Sequence, residues 1–78
     1  MNPRISIDPN ICHGKPVIKG TRVLVANILA SLADGESPQS ILENYPNITE
    51  PDIRAALDFA GRLSQFDSFP YELSESQP

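Results

Sequence analysis

Cysteine is nearly missing from this sequence. Cys12 stands alone among 78 residues, so one copy can form no internal disulfide, which fits a reducing compartment. Tryptophan is absent, and His13 is the only histidine. Zinc takes about four ligands, and Cys12 with His13 supplies two. A catalytic thiolate needs a base and an orienting third group, and a sequence neighbour rarely has that geometry. The expectation is a non-enzymatic protein that uses no metal and no cofactor, with Cys12 and His13 seating a loop. Long apolar runs are also missing. Nothing approaches the ~20 consecutive apolar residues of a membrane helix, and no apolar leader follows Met1-Asn2-Pro3-Arg4. A soluble, cytoplasmic protein is expected.

Basic residues are scarce, six Lys and Arg against ten Asp and Glu, for a net charge of −4. An acidic total argues against strong non-specific binding to nucleic acid. The charge is unevenly spread, however. Residues 1–22 carry Arg4, Lys15, Lys19 and Arg22 against Asp8 alone, whereas residues 67–78 carry Asp67, Glu72 and Glu75 with no basic residue. The N-terminal group can serve a phosphate backbone, or it is a scatter of solvated side chains. Gly14-Lys15-Pro16 is no phosphate loop: Pro9 stands where the first glycine is needed, and Pro16 where Ser or Thr must follow the lysine.

The most informative features present are two helix starts, Ser37-Pro38 and Thr49-Glu50-Pro51-Asp52. Ser and Thr accept a hydrogen bond from an orphan amide of the first turn, and proline is tolerated there because its missing N–H had no partner. Thr49 and Asp52 have capping-box spacing. Pro46 stops the first of these helices, so a short helix over 38–44, a tight turn and a longer helix over 50–63 are predicted, in the order of a helix-turn-helix. An earlier helix over 24–34 is expected from Leu24, Val25, Ile28, Leu29 and Leu32 on one face, with Gly35 as a left-handed stop. The stripe expected to be buried on the third helix is Ile53, Ala56, Leu57, Ala60 and Leu63; Arg54, Asp58 and Arg62 stand opposite, spaced for ion pairing. Upstream, Ile5-Ser6-Ile7 and Pro16–Val23 read as extended segments that can pair as a small ribbon. Gly20 marks a bulge or a positive φ. Residues 1–65 thus read as one helix-turn-helix domain with an extended N-terminal segment, and residues 66–78 as a disordered acidic tail that orders on a partner or has no role.

The stretch Asp8-Pro9-Asn10-Ile11-Cys12-His13-Gly14-Lys15-Pro16-Val17-Ile18-Lys19-Gly20-Thr21-Arg22-Val23, followed by Ser37-Pro38, Tyr45-Pro46 and Thr49, resembles domain-of-unknown-function family 433. The resemblance runs from about Ile5 to Leu63; Asn47-Ile48 stands where many members carry His-Leu. It implies a mainly α fold, a homeodomain-like three-helix bundle with a helix-turn-helix and a short N-terminal β-ribbon. It further implies an antitoxin that binds a PIN-like ribonuclease toxin and represses its own operon. Candidate DNA-binding residues are Lys15, Lys19, Arg22, Arg54 and Arg62. Candidate partner-binding residues are Phe66, Phe69, Tyr71 and Leu73, large apolar side chains in the tail. A homo-oligomer is expected, because so small a domain gains stability by association. The rival reading is a protein-interaction or dimerisation module with no DNA role, favoured by Glu50 and Asp52 at the start of the candidate recognition helix. Arg22 keeps two readings: a clamp on a carboxylate or on helix carbonyls, or a partner contact.

Overall fold

The structure, a computed structural model, describes residues 1–65. The chain runs through strand β1 (Ile5–Ser6), strand β2 (Val17–Ile18) and helices α1 (Val25–Ala33), α2 (Pro38–Asn44) and α3 (Glu50–Ser64). The strands pair antiparallel, Ile5 opposite Ile18 and Ser6 opposite Val17, and Val17 also bridges to Leu24. Strands this short are marginal alone, so burial holds the ribbon. Opposed residues share a face. Ile5 and Ile18 join the core beneath the helices. Val17, also buried, lies on the other face with Ser6, where the connecting loop brings Ile11 alongside.

Helix α1 starts without a polar cap. Its N-cap is Leu24, and the Val25 amide donates instead to the Pro16 carbonyl at 3.0 Å, tying the helix to the ribbon. It ends as expected at Gly35, whose φ is 89°: the Gly35 amide donates to Leu32 and the Glu36 amide to Ser31, the paired bonds of a Schellman stop. Helix α2 starts at Ser37, whose hydroxyl accepts from the Ser40 amide at 3.1 Å. At the start of α3 the Asp52 carboxylate accepts from both the Thr49 amide, at 2.9 Å, and the Thr49 hydroxyl, at 3.1 Å. Residues 45–49 join α2 to α3, and Ile48 of that turn is buried. Helix α1 packs on α2 and α3, and α3 also packs on β1. The mainly α architecture, three helices with a two-stranded N-terminal ribbon, is the one expected.

The buried face of α3 is rotated from the expected stripe. Asp52, Ile53, Ala55 and Ala56 are buried, whereas Leu57 is 49% and Leu63 58% exposed. Ala55 and Ala56 have short side chains and so admit close helix approach. The core is completed by Val23, Val25, Ile28, Ile41 and Ile48, and its last contributor along α3 is the half-buried Phe59. Leu63 lies a turn beyond Phe59, and Leu57 falls on the flank. Asp52 can be buried because its charge is neutralised: the Arg4 guanidinium sits 3.0 Å from its carboxylate.

Candidate functional site

The loop between the strands is built on turn chemistry. The Asn10 amide donates to the Asp8 side chain at 2.8 Å, and the Ile11 amide to the Asp8 carbonyl at 2.9 Å. Three consecutive left-handed residues follow, Cys12 (φ 52°), His13 (φ 58°) and Gly14 (φ 80°). Each non-glycine residue in this region costs roughly 1–2 kcal/mol, so the surroundings must hold the turn. The Gly14 amide donates to Ile11 and the Lys15 amide to Cys12, both at 3.1 Å. The Cys12 thiol lies 3.8 Å from the Arg22 carbonyl, which brings this loop against the turn that carries Arg22.

Arg22 and Lys19 belong to the turn after β2. The Ile18 amide donates to Val23 at 3.0 Å and the Thr21 amide to Ile18 at 2.9 Å. The Thr21 hydroxyl donates to the Ile18 carbonyl at 2.7 Å and accepts from the Val23 amide at 3.0 Å. Gly20 takes the positive φ anticipated for it, 81°. Between this turn and the left-handed loop opens a shallow cleft of about 400 Å³, lined by Ser6, Ile11, Val17, Gly20, Thr21 and Arg22. Arg22 lines this cleft, and Lys15 and Lys19 are exposed in the adjoining loop and turn. Of the two readings of Arg22, neither a carboxylate nor a helix carbonyl receives its guanidinium among the described residues.

The six basic residues therefore fall into two sets. Arg4 pairs with Asp52 at 3.0 Å, Arg54 with Glu50 at 3.6 Å, and Arg62 with Asp58 at 3.2 Å. Lys15, Lys19 and Arg22 make no ion pair among the described residues. The first three of the five candidate DNA residues thus sit together on the ribbon lobe, while Arg54 and Arg62 stand apart along α3, each turned back to a carboxylate one helical turn earlier. Sequence grouped Arg4 with the other N-terminal cations, and no local pattern could have set it apart: its partner lies 48 residues away.

Asn2 and Arg4 together fasten the N-terminal segment to α3. The Asn2 amide donates to Asp58 at 3.1 Å. That hydrogen bond, with the bond and charge of Arg62, holds the Asp58 carboxyl below the usual carboxylate range, against a partial desolvation that raises it. Near the C-terminal end of α3, Met1, Phe59, Arg62 and Leu63 line a smaller, mostly apolar hollow. Phe66, Phe69, Tyr71 and Leu73 lie outside the described residues. No helix among the described residues is long and apolar enough to cross a membrane.

A family model described as "Protein of unknown function (DUF433)" matches residues 5–60. "Uncharacterized protein y4eO" of Sinorhizobium fredii (strain NBRC 101917 / NGR234) is 36% identical over 72 residues, a match covering 85% of this chain and 33% of that protein. The crystal structure of a DUF433 member from Anabaena variabilis ATCC 29413, at 2.00 Å resolution, superimposes with a TM-score of 0.73 at 31% identity, covering 80% of this chain and 61% of that one. The chain thus spans about a third of the first relative and three-fifths of the second. The matched residues 5–60 take in the ribbon, both turns of the basic lobe and nearly all of the three helices, and the chain belongs to the DUF433 family.

Proposed function

We propose that the chain is an antitoxin-type regulator, a helix-turn-helix module that binds and blocks a PIN-like ribonuclease and holds operator DNA. The toxin half of this reading rests on the family resemblance. The DNA half is supported by one observation: Lys15, Lys19 and Arg22 are exposed together, with no carboxylate at ion-pair distance among the described residues. Cations held this way can neutralise phosphates and release counterions. In this reading the chain contributes no catalytic residue, needs no metal or cofactor, and acts in the cytoplasm as a homo-oligomer. Phe66, Phe69, Tyr71 and Leu73 would add apolar contact to the toxin, with Glu72 and Glu75 meeting a basic RNA-binding face.

The test is co-expression with a PIN-like ribonuclease. A stable complex in which RNA cleavage is suppressed supports the reading. Undiminished cleavage with this protein in excess overturns it. A complex that inhibits equally well when the chain ends at Gln65 removes the tail from the account.

A second reading, an interaction module without DNA, is favoured by α3 itself. Its first turn is acidic, and Arg54 and Arg62 are both engaged in ion pairs. Retained toxin binding with no affinity for any duplex, even at low salt, would select it.

A further inference from the structure

We infer that the chain grips duplex DNA by its phosphates through the ribbon lobe, and that α3 does not act as the reading helix. This rests on the DNA half of the proposed function and assigns its surface. In a helix-turn-helix the second helix ordinarily enters the major groove with its N-terminal residues toward the bases. Here that end carries Glu50, Pro51 and Asp52. Asp52 is buried against Arg4, and Glu50 is bonded to Arg54. The two arginines on α3 would have to leave Glu50 and Asp58 before they met a base or a phosphate, and the acids left behind would repel the backbone.

The ribbon lobe has the opposite character. The backbones of Lys15 and Arg22 both meet Cys12, which accepts the Lys15 amide at 3.1 Å and approaches the Arg22 carbonyl at 3.8 Å. Lys19 and Arg22 share one turn, closed by the Ile18–Val23 bond and by the two bonds of the Thr21 hydroxyl. The backbone beneath all three cations is therefore set before a ligand arrives, so little ordering of the loops is needed on contact. Among the described residues nothing stands within 4 Å of the position a Cβ would take at Gly20, so the turn between Lys19 and Arg22 is open to approach. Contacts of this kind go to phosphate oxygens, position the protein and carry no base information.

Fluorescence anisotropy on a labelled duplex of mixed sequence, measured with the full chain over a range of salt, tests the assignment. Replacing Lys15, Lys19 and Arg22 together by Gln should weaken binding roughly tenfold or more at low salt and flatten the log–log salt slope by about 2.7, about 0.9 for each lost phosphate contact. Lys15→Arg with Lys19→Arg should keep the affinity, and Arg54→Gln with Arg62→Gln should leave affinity and slope unchanged. Circular dichroism melts of each variant separate loss of contact from loss of fold. Binding that survives the triple substitution but is lost with Arg54 and Arg62 overturns this assignment and leaves the DNA reading standing. Failure of the unsubstituted protein to bind any duplex at low salt overturns both.

Discussion

Asp52 shows how one buried charge can join two distant parts of a small fold. Its carboxylate accepts the Thr49 amide, the Thr49 hydroxyl and the Arg4 guanidinium. It thus caps α3 and anchors the segment leading into β1. Removing it leaves an orphan amide at the helix start and a cation without its partner, so Asp52→Ala should destabilise by about 2–3 kcal/mol. Thr49→Ala loses only the hydroxyl and should cost roughly 0.5–2 kcal/mol. Urea unfolding of the two variants decides the order, and a larger loss at Thr49 would refute this account of the cap. Leu57 teaches the reverse lesson. At 49% exposed it leaves no sealed cavity when truncated, so Leu57→Ala should cost under about 1 kcal/mol, against about 2–5 kcal/mol for Ile41→Ala, whose side chain is fully buried. Comparable melting curves for the two variants would mean that α3 presents a different face to the core.

Among the elements, the ends are specified locally and the faces are not. Ser37, Gly35 and the Thr49–Asp52 pair each stop or start a helix through bonds to residues three or four positions away. Such bonds are readable from spacing alone. Along α3, charge pairing follows the same short spacing, Glu50 with Arg54 and Asp58 with Arg62. Exposed pairs like these are screened by solvent and are worth little. Asp58 adds a pH dependence, because its folded-state carboxyl is acidified by Asn2 first and Arg62 next. A carboxyl whose pKa is depressed on folding stabilises the fold above its unfolded value and loses that contribution as pH falls through the folded one. The melting temperatures of the unsubstituted protein and of Asp58→Asn should therefore differ most at neutral pH and converge as the pH falls below the usual carboxylate range. A gap that widens on acidification would show that Asp58 gains nothing from Asn2 and Arg62.

For the whole molecule, the core formed by the described residues runs from Ile5 to Phe59. A chain ending at Gln65 should then melt within a few degrees of the full one, as followed by circular dichroism, and a large drop would place part of the core beyond Gln65. The tertiary structure gave the charge distribution a meaning that composition lacked. A net charge of −4 argued against strong non-specific binding to nucleic acid, but acids and bases cancel only where they meet, and among the described residues they meet along α3 and at Arg4, with no ion pair at Lys15, Lys19 or Arg22. Read alone, the chain specifies the order of its elements, their caps and the positive φ at Gly20 and Gly35, because each depends on a few adjacent residues and on the steric limits of the backbone. It also carries the family pattern from the ribbon into α3. It does not specify that Asp52 is buried, that Leu57 and Leu63 stay about half exposed, or that, among the described residues, Arg4 is paired while Lys15, Lys19 and Arg22 are not. Those outcomes depend on the rotation of α3 against α1 and β1 and on a salt bridge spanning 48 positions, and only packing in three dimensions decides them.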